Sequence, residues 1–290
     1  MINTPKHLAY TLKVDIKEIN SILNNIDNFY REKIEIKKDK FGKPKLDAKG
    51  EPKKRIINPS TKRLKIIQTR IHRNILNKIE MPSYAFGAVK GKDNVANAKQ
   101  HQGKRYKFTT DLKDFFPSIT NKSVFKMFVS QGFSPEVSSL LTKLTTYKGR
   151  IPQGAPTSST LANLVFIKTG DILQEFAKEN NATFTSFVDD MTFSSAKDFK
   201  NKIPQILEII TNDYKISHKK TNYSRNPNIT GLHPMNNHLK LPKSFVAKLE
   251  STENKTAEQI AGLKMYKEKV DRANYGKKPV ANNVYKTQLL

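Results

Sequence analysis

The feature that most constrains the fold is a pair of adjacent aspartates, Asp189 and Asp190, within the segment Thr183–Ser195. Phenylalanine, valine and threonine recur on both sides of the pair, which predicts two short strands joined as a β-hairpin with both carboxylates at its tip. Asp-Asp is not among the dipeptides that tight hairpin turns favour, so turn geometry alone does not explain it. Two interpretations follow: an ordinary solvated acidic turn, or a cation that both carboxylates face.

A second acidic segment, Lys107–Ile119, has the same character. An extended run of apolar and β-branched residues leads to Asp111, and Pro117 ends the element soon afterwards. Two acidic sites on separate strands could converge on divalent metal, where two ions about 3.5–4 Å apart clamp the attacking and leaving oxygens of a phosphoryl transfer. Mg²⁺ suits such a site because it binds a few carboxylates and leaves room for phosphates and water.

Charge is the dominant property of the composition. The chain has 52 Lys and Arg against 26 Asp and Glu, a formal net charge of +26. A polyanionic partner is therefore expected, since clustered cations release counterions from phosphate backbones. Without a long apolar run, a signal-peptide core or a basic amphipathic helix, we expect a cytoplasmic protein with no membrane partner. The absence of cysteine excludes disulfides and cysteine-ligated zinc.

Hydrophobic periodicity predicts a series of helices and one further hairpin. The hairpin extends from about residue 29 to 57, with a long lysine-rich tip, and a basic helical pattern runs from residue 240 to the end. The predicted helices are Asp15–Ile26, Leu64–Ile79, Asn94–Gln102, Lys122–Gly132, Pro135–Tyr147, Ser158–Leu173 and Phe199–Tyr214.

Three segments in order resemble the palm of reverse transcriptases: TDLKDFFPSI at 110–119, PQGAPTSS at Pro152–Ser159, and FVDD at Phe187–Asp190. The resemblance implies an α+β right-hand polymerase fold, with fingers, a palm built on an antiparallel sheet, and a short helical thumb. It implies an N-terminal helix and fingers over 1–105, a palm over 106–235 with a helical insertion around 120–175, and a basic thumb over 236–290. Here Ser158-Ser159 replaces the usual Ser-Pro, which leaves the start of the following helix open, although serine is a good N-cap.

The resemblance also implies which residues hold metal and nucleotide. Asp111, Asp189 and Asp190 would bind two Mg²⁺ together with the backbone carbonyl of Leu112, and Mn²⁺ is expected to substitute. In the order of the sequence, the residues expected to contact the incoming nucleotide are Lys54, Arg55, Phe116 and Gln153. Phe116 stands where the family carries an aromatic gate against the ribose 2′-hydroxyl, and Lys54 and Arg55 would face the triphosphate; a solvated hairpin edge and a core phenylalanine are the plainer alternatives.

Two shorter signals resemble the retron branch of the family, bacterial enzymes that copy their own structured RNA. Asn97-Ala-x-x-His101 precedes the first acidic strand, and Ile229-Thr230-Gly231 stands where retron enzymes have Val-Thr-Gly. Taken alone, the first is an exposed polar helix face and the second a turn. With the basic C-terminal segment they give the residues expected to bind RNA: Asn97, His101, Thr230, Gly231, Lys243, Lys248, Lys264 and Lys267.

The function implied is RNA-directed DNA synthesis. A retron enzyme would use dNTPs to copy part of its structured non-coding RNA into single-stranded DNA, giving a branched RNA–DNA product (msDNA) in anti-phage defence, with an effector or toxin protein as a further partner. No integrase, RNase H or zinc endonuclease pattern follows the thumb, which favours a stand-alone bacterial enzyme. The alternatives are a defence-associated reverse transcriptase that is not a retron, and a catalytically silent RNA-binding protein with the same fold; intact aspartates argue against the second.

Overall fold

A computed structural model describes residues 2–39, 42–47, 49–251 and 255–275. Its helices are α1 (Pro5–Leu12), α2 (Ile16–Asn24), α3 (Lys62–Asn74), α4 (Asn94–Gln100), α5 (Phe115–Ser118), α6 (Asn121–Ser130), α7 (Pro135–Thr145), α8 (Ser158–Glu179), α9 (Ile203–Thr211), α10 (Lys243–Glu250) and α11 (Ala257–Tyr275). Its strands are β1 (Lys33–Ile36), β2 (Lys54–Ile57), β3 (Tyr106–Asp111), β4 (Thr183–Phe187), β5 (Asp190–Ser195), β6 (Asn222–Ser224), β7 (His233–Pro234) and β8 (Leu239–Lys240).

A four-stranded antiparallel sheet in the order β4-β5-β3-β6 forms the centre of the molecule. Strands β4 and β5 are the hairpin predicted around the aspartate pair, which confirms that prediction. Side chains alternate across the sheet, so Phe108, Phe184 and Phe193 share one face and are almost completely buried there. The Phe184 and Phe193 rings stack with centroids 4.6 Å apart. This mixture of helices with antiparallel sheets is the α+β class predicted.

Helix α8 packs on the sheet and is longer than predicted. It runs on from the predicted end, Leu173, to Glu179 because apolar side chains continue inward, with Ala177 only 1% exposed. The start is also different from the expected serine cap. Thr157 is the N-cap and makes no capping hydrogen bond, while the Ser158 hydroxyl donates to the carbonyl of Pro152 at 2.6 Å. The serine therefore fixes the preceding turn and does not cap the helix.

Strands β1 and β2 form the predicted N-terminal hairpin, with Glu35 paired to Arg55 across the ladder. The hairpin carries apolar side chains in the open, since Ile34 is 58% exposed and Ile56 55%. Exposed isoleucines on a basic hairpin are unusual for a purely solvated edge. They indicate a surface that contacts something other than water.

A second, smaller hydrophobic cluster joins the C-terminal helices to the rest of the chain. Leu232 and Leu239 pack there with Val270 of α11 against Val95 and Ala98 of α4. The basic helical pattern predicted from residue 240 appears as α10 and α11; residues 252–254 and 276–290 lie outside the described residues. Across the ranges described, none of the helices combines the length and the apolar character that crossing a bilayer requires.

Candidate active site

The β4–β5 hairpin closes through a two-residue turn, Val188-Asp189, between the paired residues Phe187 and Asp190. Val188 has φ +60, in the left-handed region. A β-branched residue is strained there, and such a conformation persists only where the surroundings hold it. The turn therefore places Asp189 at its second position. It does so through a backbone conformation that valine adopts only when neighbouring residues stabilise it.

The surroundings that hold the turn come from the loop Tyr84–Gly91. The Ser186 amide donates to the carbonyl of Tyr84 at 2.8 Å, and the amide of Phe86 donates to the Ser186 carbonyl at 2.8 Å. Gly87 then lies against the turn, where a Cβ would be 2.8 Å from the amide nitrogen of Val188. Only glycine fits this position. The sequence alone gives no signal for this role, because glycine spacing by itself is a weak pattern.

Three aspartates meet at one end of the sheet. Asp111 ends β3 directly opposite Asp190 and is 5% exposed, and the amide of Leu112 donates to the Asp189 carbonyl at 3.0 Å. Burial, with nearby Asp111, raises the pKa of Asp189. Desolvation of the carboxyl group, reinforced by Asp189 and Asp111, raises the pKa of Asp190 to about 7. The convergence of the two acidic segments is what the sequence predicted.

Lys220 is the cation that faces this cluster. Its Nζ lies 2.5 Å from Oδ2 of Asp111, in an ion pair whose carboxylate side chain is 7% exposed. Partial burial disfavours the charged amine, yet the hydrogen bond to Asp111 prevails and raises the pKa of Lys220. Lys220 ends a 3-10 turn over His218–Lys220, which is anchored by a hydrogen bond from the backbone amide of Ser217 to the carbonyl of Asp111 at 2.8 Å.

The donor set fits a divalent cation in its chemistry. Carboxylate oxygens are the ligands that Mg²⁺ prefers. The raised pKa values of Asp189 and Asp190 show that burial, followed by the neighbouring carboxylates, disfavours their charged forms. Within the part of the chain that the structure describes, no three His, Cys, Asp or Glu side chains already have the arrangement of a metal site. Asp111 is paired with Lys220. The three aspartates therefore supply the kind of ligand that a divalent cation needs.

A large open cleft lies between the β1–β2 hairpin and the carboxylates, with a volume of about 1580 Å³. It brings together most of the residues expected to contact metal or nucleotide: Lys54, Arg55, Asp111, Leu112, Phe116, Gln153 and Asp189. The exposed isoleucines Ile34 and Ile56 line the same cleft, as do Lys37, Lys38 and Lys45 from the hairpin tip. The cleft thus combines cationic and apolar walls over an acidic floor.

Arg55 already has a partner in this cleft. Its Nη2 lies 2.6 Å from Oε2 of Glu35, and its Nε donates to the same oxygen at 3.1 Å. Lys33 contacts the other carboxylate oxygen at 3.2 Å. The hydrogen bond from Arg55, followed by that from Lys33, lowers the pKa of Glu35. Glu35 gave no signal in the sequence because its role depends on the strand register.

The paired phenylalanines separate into two environments. Phe115 is 2% exposed and contacts the ring of Phe166 edge-on, with centroids 6.1 Å apart, and that of Tyr214 at 5.6 Å. Phe116 is partly exposed and lines the cleft. The core interpretation therefore applies to Phe115, and Phe116 is positioned to contact a ligand.

The two short motifs, far apart in sequence, meet in space. Thr230 and Gly231, with φ +46 and +93, form a tight turn between Ile229 and Leu232. The Asn97 amide donates to Oγ1 of Thr230 at 3.2 Å. The turn interpretation is confirmed. Helix α4 therefore binds the loop that carries the second motif.

His101 lies inside the protein. Its ring nitrogens lie 2.7 Å from the Ser194 hydroxyl and 2.8 Å from that of Thr185, on β5 and β4. Burial, with Lys107 and Lys104 nearby, lowers the pKa of His101 to about 3, so the ring is neutral. His101 is 0% exposed and Asn97 1%. This burial corrects the expectation that both side chains contact RNA. Both ring nitrogens of His101 and the side-chain amide nitrogen of Asn97 bond within the protein, while Oδ1 of Asn97 is buried without a hydrogen-bond partner among the described residues.

Helix α4 and its N-cap Asp93 also contact α11. The Asn94 amide donates to the Tyr266 hydroxyl at 2.6 Å, and Asp93 pairs with Lys269 at 2.7 Å. Lys99 donates to the carbonyl of Ala273 at 2.8 Å. Of the lysines expected to bind RNA, Lys243, Lys248 and Lys264 are exposed, and Lys267 pairs with Asp271 at 2.6 Å. None of these lysines lines the cleft.

Comparison with known proteins gives an independent view of the chain. The family described as "Reverse transcriptase (RNA-dependent DNA polymerase)" matches residues 36–233. The retron Se72 reverse transcriptase of Salmonella heidelberg is 33% identical over 216 residues, 72% of this chain and 54% of that protein. The retron Ec86 reverse transcriptase of Escherichia coli is 38% identical over 151 residues, 52% of this chain and 47% of that protein.

A third relative, the retron Mx162 reverse transcriptase of Myxococcus xanthus, is 33% identical over 172 residues, 53% of this chain and 35% of that protein. The chain therefore spans about half the length, or less, of these curated relatives. The family match takes in both acidic segments, most of the residues that line the cleft, and the Thr230-Gly231 turn. The chain belongs to the reverse transcriptase family of RNA-dependent DNA polymerases.

Proposed function

We propose that the protein is a retron-type RNA-directed DNA polymerase that copies a structured non-coding RNA into single-stranded DNA. The observation that carries the proposal is the meeting of Asp111, Asp189 and Asp190 at one end of the sheet, where Asp111 and Asp189 line a cationic cleft. Similarity to several retron reverse transcriptases supports the retron branch. The right-hand division follows: fingers over residues 1–105, palm over 106–235 and thumb over 236–290.

Two Mg²⁺ ions, or Mn²⁺, would be held by the three aspartates and the carbonyl of Leu112. When bound, the metal lowers the pKa of the primer hydroxyl and offsets the charge of the triphosphate. The chain's own contribution is to position the reactants, which supplies much of the rate in phosphoryl transfer. The Val188-Asp189 turn and the end of β3 hold the carboxylates on one rigid sheet.

The cleft walls suit a nucleoside triphosphate paired to a template. Lys54 and Arg55 supply positive charge for the phosphates, and Gln153 lies beside them on the same cleft. Phe116 would lie beneath the sugar and exclude a 2′-hydroxyl. Exposed Ile34 and Ile56 give an apolar surface for the template base that faces the incoming nucleotide.

The outer cations and the Thr230-Gly231 turn would contact the folded RNA. The turn is partly exposed, and the buried side chain of Asn97 donates a hydrogen bond to its Thr230 hydroxyl. Lys243, Lys248, Lys264 and Lys267 belong to the proposed thumb, which would follow phosphates and 2′-hydroxyls and not base edges. Anti-phage defence, and an effector protein encoded nearby, form part of the same proposal.

Primer extension on poly(rA)–oligo(dT) with Mg²⁺ or Mn²⁺ tests the polymerase. Incorporation of dTTP is expected, and binding of the duplex without incorporation would point to the silent RNA-binding protein. The retron branch has its own test. Nucleic acid co-purified from cells carrying the native locus should contain DNA joined to RNA by a 2′–5′ bond, and a debranching enzyme should shift it on a denaturing gel. Robust extension without any branched product would leave a non-retron reverse transcriptase.

A further inference from the structure

A second cationic site lies at the other end of β3 from the carboxylates. Arg105 and Arg225 are exposed, and their Cζ atoms lie 5.5 Å and 5.9 Å from the centroid of the Tyr106 ring. Cation–π attraction of this kind holds a guanidinium in place. Two positive groups are therefore kept beside one ring, although they repel each other.

The strand register explains how these residues meet. Lys107 of β3 pairs with Ser224 of β6, so the next step along both chains sets Tyr106 against Arg225. Tyr223 lies diagonally on the same face, and its ring is nearly parallel to that of Tyr106 with centroids 6.2 Å apart. Alternation along β3 puts Tyr106 and Asp111 on opposite faces, about 16 Å apart along the strand at about 3.3 Å per residue. The site is thus separate from the catalytic cleft.

The scaffold beneath the arginines is rigid. The Tyr223 hydroxyl donates to Asp198 at 2.8 Å, and its ring meets Phe199 edge-on at 5.3 Å. Lys107, 2% exposed, donates from Nζ to the carbonyl of Lys104 at 2.5 Å and to that of Arg225 at 2.9 Å. A buried ammonium group thus ties together the two backbone segments that carry the arginines.

The arginines themselves lack acidic partners. Among the described residues, neither Arg105 nor Arg225 forms an ion pair. Asp198 is already engaged by the Tyr223 hydroxyl and the Lys200 amide. Preorganised guanidinium groups that lack a carboxylate match the bidentate geometry of phosphate oxygens.

We infer that Arg105 and Arg225, held on the Tyr106–Tyr223 pair, form a second nucleic-acid site that grips phosphates of the folded RNA outside the cleft. The inference rests on the proposed function for the presence of RNA. Such a site would keep part of the RNA attached while the cleft advances along the copied segment. Phosphate chemistry is shared by template RNA and product DNA, so the test compares both.

The test uses the full chain with both arginines changed to glutamine, Arg105→Gln with Arg225→Gln. The probe is a fluorescein-labelled RNA hairpin with a twelve-nucleotide single-stranded tail, measured by anisotropy from low to high salt. The dissociation constant is expected to rise roughly tenfold near 0.1 M salt, and the salt slope to fall by about 1.4, since each single-strand phosphate contact contributes about 0.7. The matched control removes two exposed cations elsewhere, Lys17→Gln with Arg73→Gln.

The inference would be overturned if the two double variants lost affinity for the RNA hairpin equally. It would also be overturned if the arginine variant bound the hairpin as tightly as the parent. The same hairpin made of DNA identifies the strand: a loss confined to RNA assigns the site to the template, and an equal loss on DNA extends it to the product. Primer extension on poly(rA)–oligo(dT) at saturating duplex should continue at the parental rate. An enzyme that fails this assay in its parental form would contradict the proposed function, while the binding comparison still decides the arginine site.

A direct reporter is possible because the chain contains no tryptophan. Tyr106→Trp places a single indole under the two guanidinium groups, and its emission should change as the RNA saturates the protein. Tyr10→Trp on α1, where Tyr10 is 83% exposed, is the matched control and should not respond. An unresponsive Tyr106→Trp protein at saturating RNA would contradict contact at this site.

Discussion

Gly87 lies so close to the turn of the β4–β5 hairpin that a Cβ placed on it would be 2.7 Å from Cγ2 of Val188. The carbonyl of Gly87 also accepts a hydrogen bond from the side-chain amide of Asn163 at 2.6 Å, which holds the loop against the turn. The position of Asp189 in the cleft therefore depends on a residue that carries no side chain.

Gly87→Ala is expected to displace this turn. Overpacking against fixed backbone should lower the free energy of unfolding by about 1–3 kcal/mol, and misplacement of Asp189 should slow nucleotide addition by roughly 100-fold. Urea unfolding and single-turnover primer extension measure the two effects. Gly262→Ala is the control, because Gly262 lies in α11 with no atom within 4 Å of an added Cβ. Identical behaviour of the two variants would refute the role given to Gly87.

Asp189→Asn should abolish nucleotide addition while the protein stays folded. The amide keeps the shape of the carboxylate but not its charge. The raised pKa of Asp189 indicates that burial, and after it repulsion from Asp111, disfavours the charge that the change removes. The melting temperature at pH 8 should therefore equal or exceed that of the parent. The exposed Asp27→Asn serves as control. Extension at the parental rate by the Asp189 variant would rule out a metal-binding role.

Phe116→Val is expected to admit ribonucleotides. Removing the ring from the cleft wall takes away the steric barrier to a 2′-hydroxyl, and incorporation of UTP relative to dTTP should rise roughly 10- to 100-fold, the range that pocket shape can supply. Steady-state extension with each nucleotide gives the ratio. Phe115→Leu should lower stability without changing selectivity, since Phe115 is buried. A folded, active Phe116→Val enzyme with unchanged selectivity would assign Phe116 to packing alone.

Glu35→Gln should improve nucleotide binding. Loss of the carboxylate releases Arg55, now held at 2.6 Å, for the triphosphate, so the KM for dTTP should fall several-fold with little change in kcat. Stability should change little, because exposed ion pairs contribute about 0–1 kcal/mol. Lys33→Gln removes the other partner of Glu35 and should not lower KM. A KM that rises in the Glu35 variant would mean that the ion pair positions Arg55 productively.

His101 predicts a pH dependence of stability. Its folded pKa of about 3 lies below the ordinary value of 6.5, so the unfolded chain binds a proton that the folded protein does not. Neutral His101 therefore contributes fully to the free energy of unfolding above pH 6.5. This contribution is lost as the pH falls towards 3, at up to about 1.4 kcal/mol per pH unit. The free energy of unfolding, measured with urea between pH 4 and 8 and plotted against pH, should have a shallower slope for His101→Gln than for the parent. His7→Gln, at an exposed position, is the control and should keep the parental slope of free energy against pH. If the His101 variant also kept that slope, the ring would bind protons equally well in the folded and unfolded states.

The sequence was sufficient for the part of the site that depends on local pattern. The β-prone flanks of Asp189 and the run ending at Asp111 form neighbouring strands, and their register brings the carboxylates together. Lys54 and Arg55 of β2, and Gln153, also line the cleft beside those carboxylates. These features depend on strand periodicity and motif order, both of which are visible in one chain.

What the sequence could not supply are relationships between side chains that the fold brings together. Asn97 and His101 are polar, so the sequence suggests an exposed helix face. The hydroxyls of Ser194, Thr185 and Thr230 that bond to them lie on other elements. A glycine beside a strained turn, likewise, has no signature of its own. Whether a polar side chain can be buried depends on its hydrogen-bond partners, and these are known only once the chain is folded.

Helix α4 is joined at one end to the central sheet through His101 and at its side to α11 through the hydrogen bond between Asn94 and Tyr266, residues 172 positions apart. The proposed thumb is therefore not an independent stretch of sequence, because its packing surface includes a helix from the first third of the chain. A chimaera that imports a relative's C-terminal helices without the matching residues of α4 would lose this hydrogen bond and create a mismatched interface. Exchange of the proposed thumb between relatives would accordingly require paired changes in two distant regions of the gene.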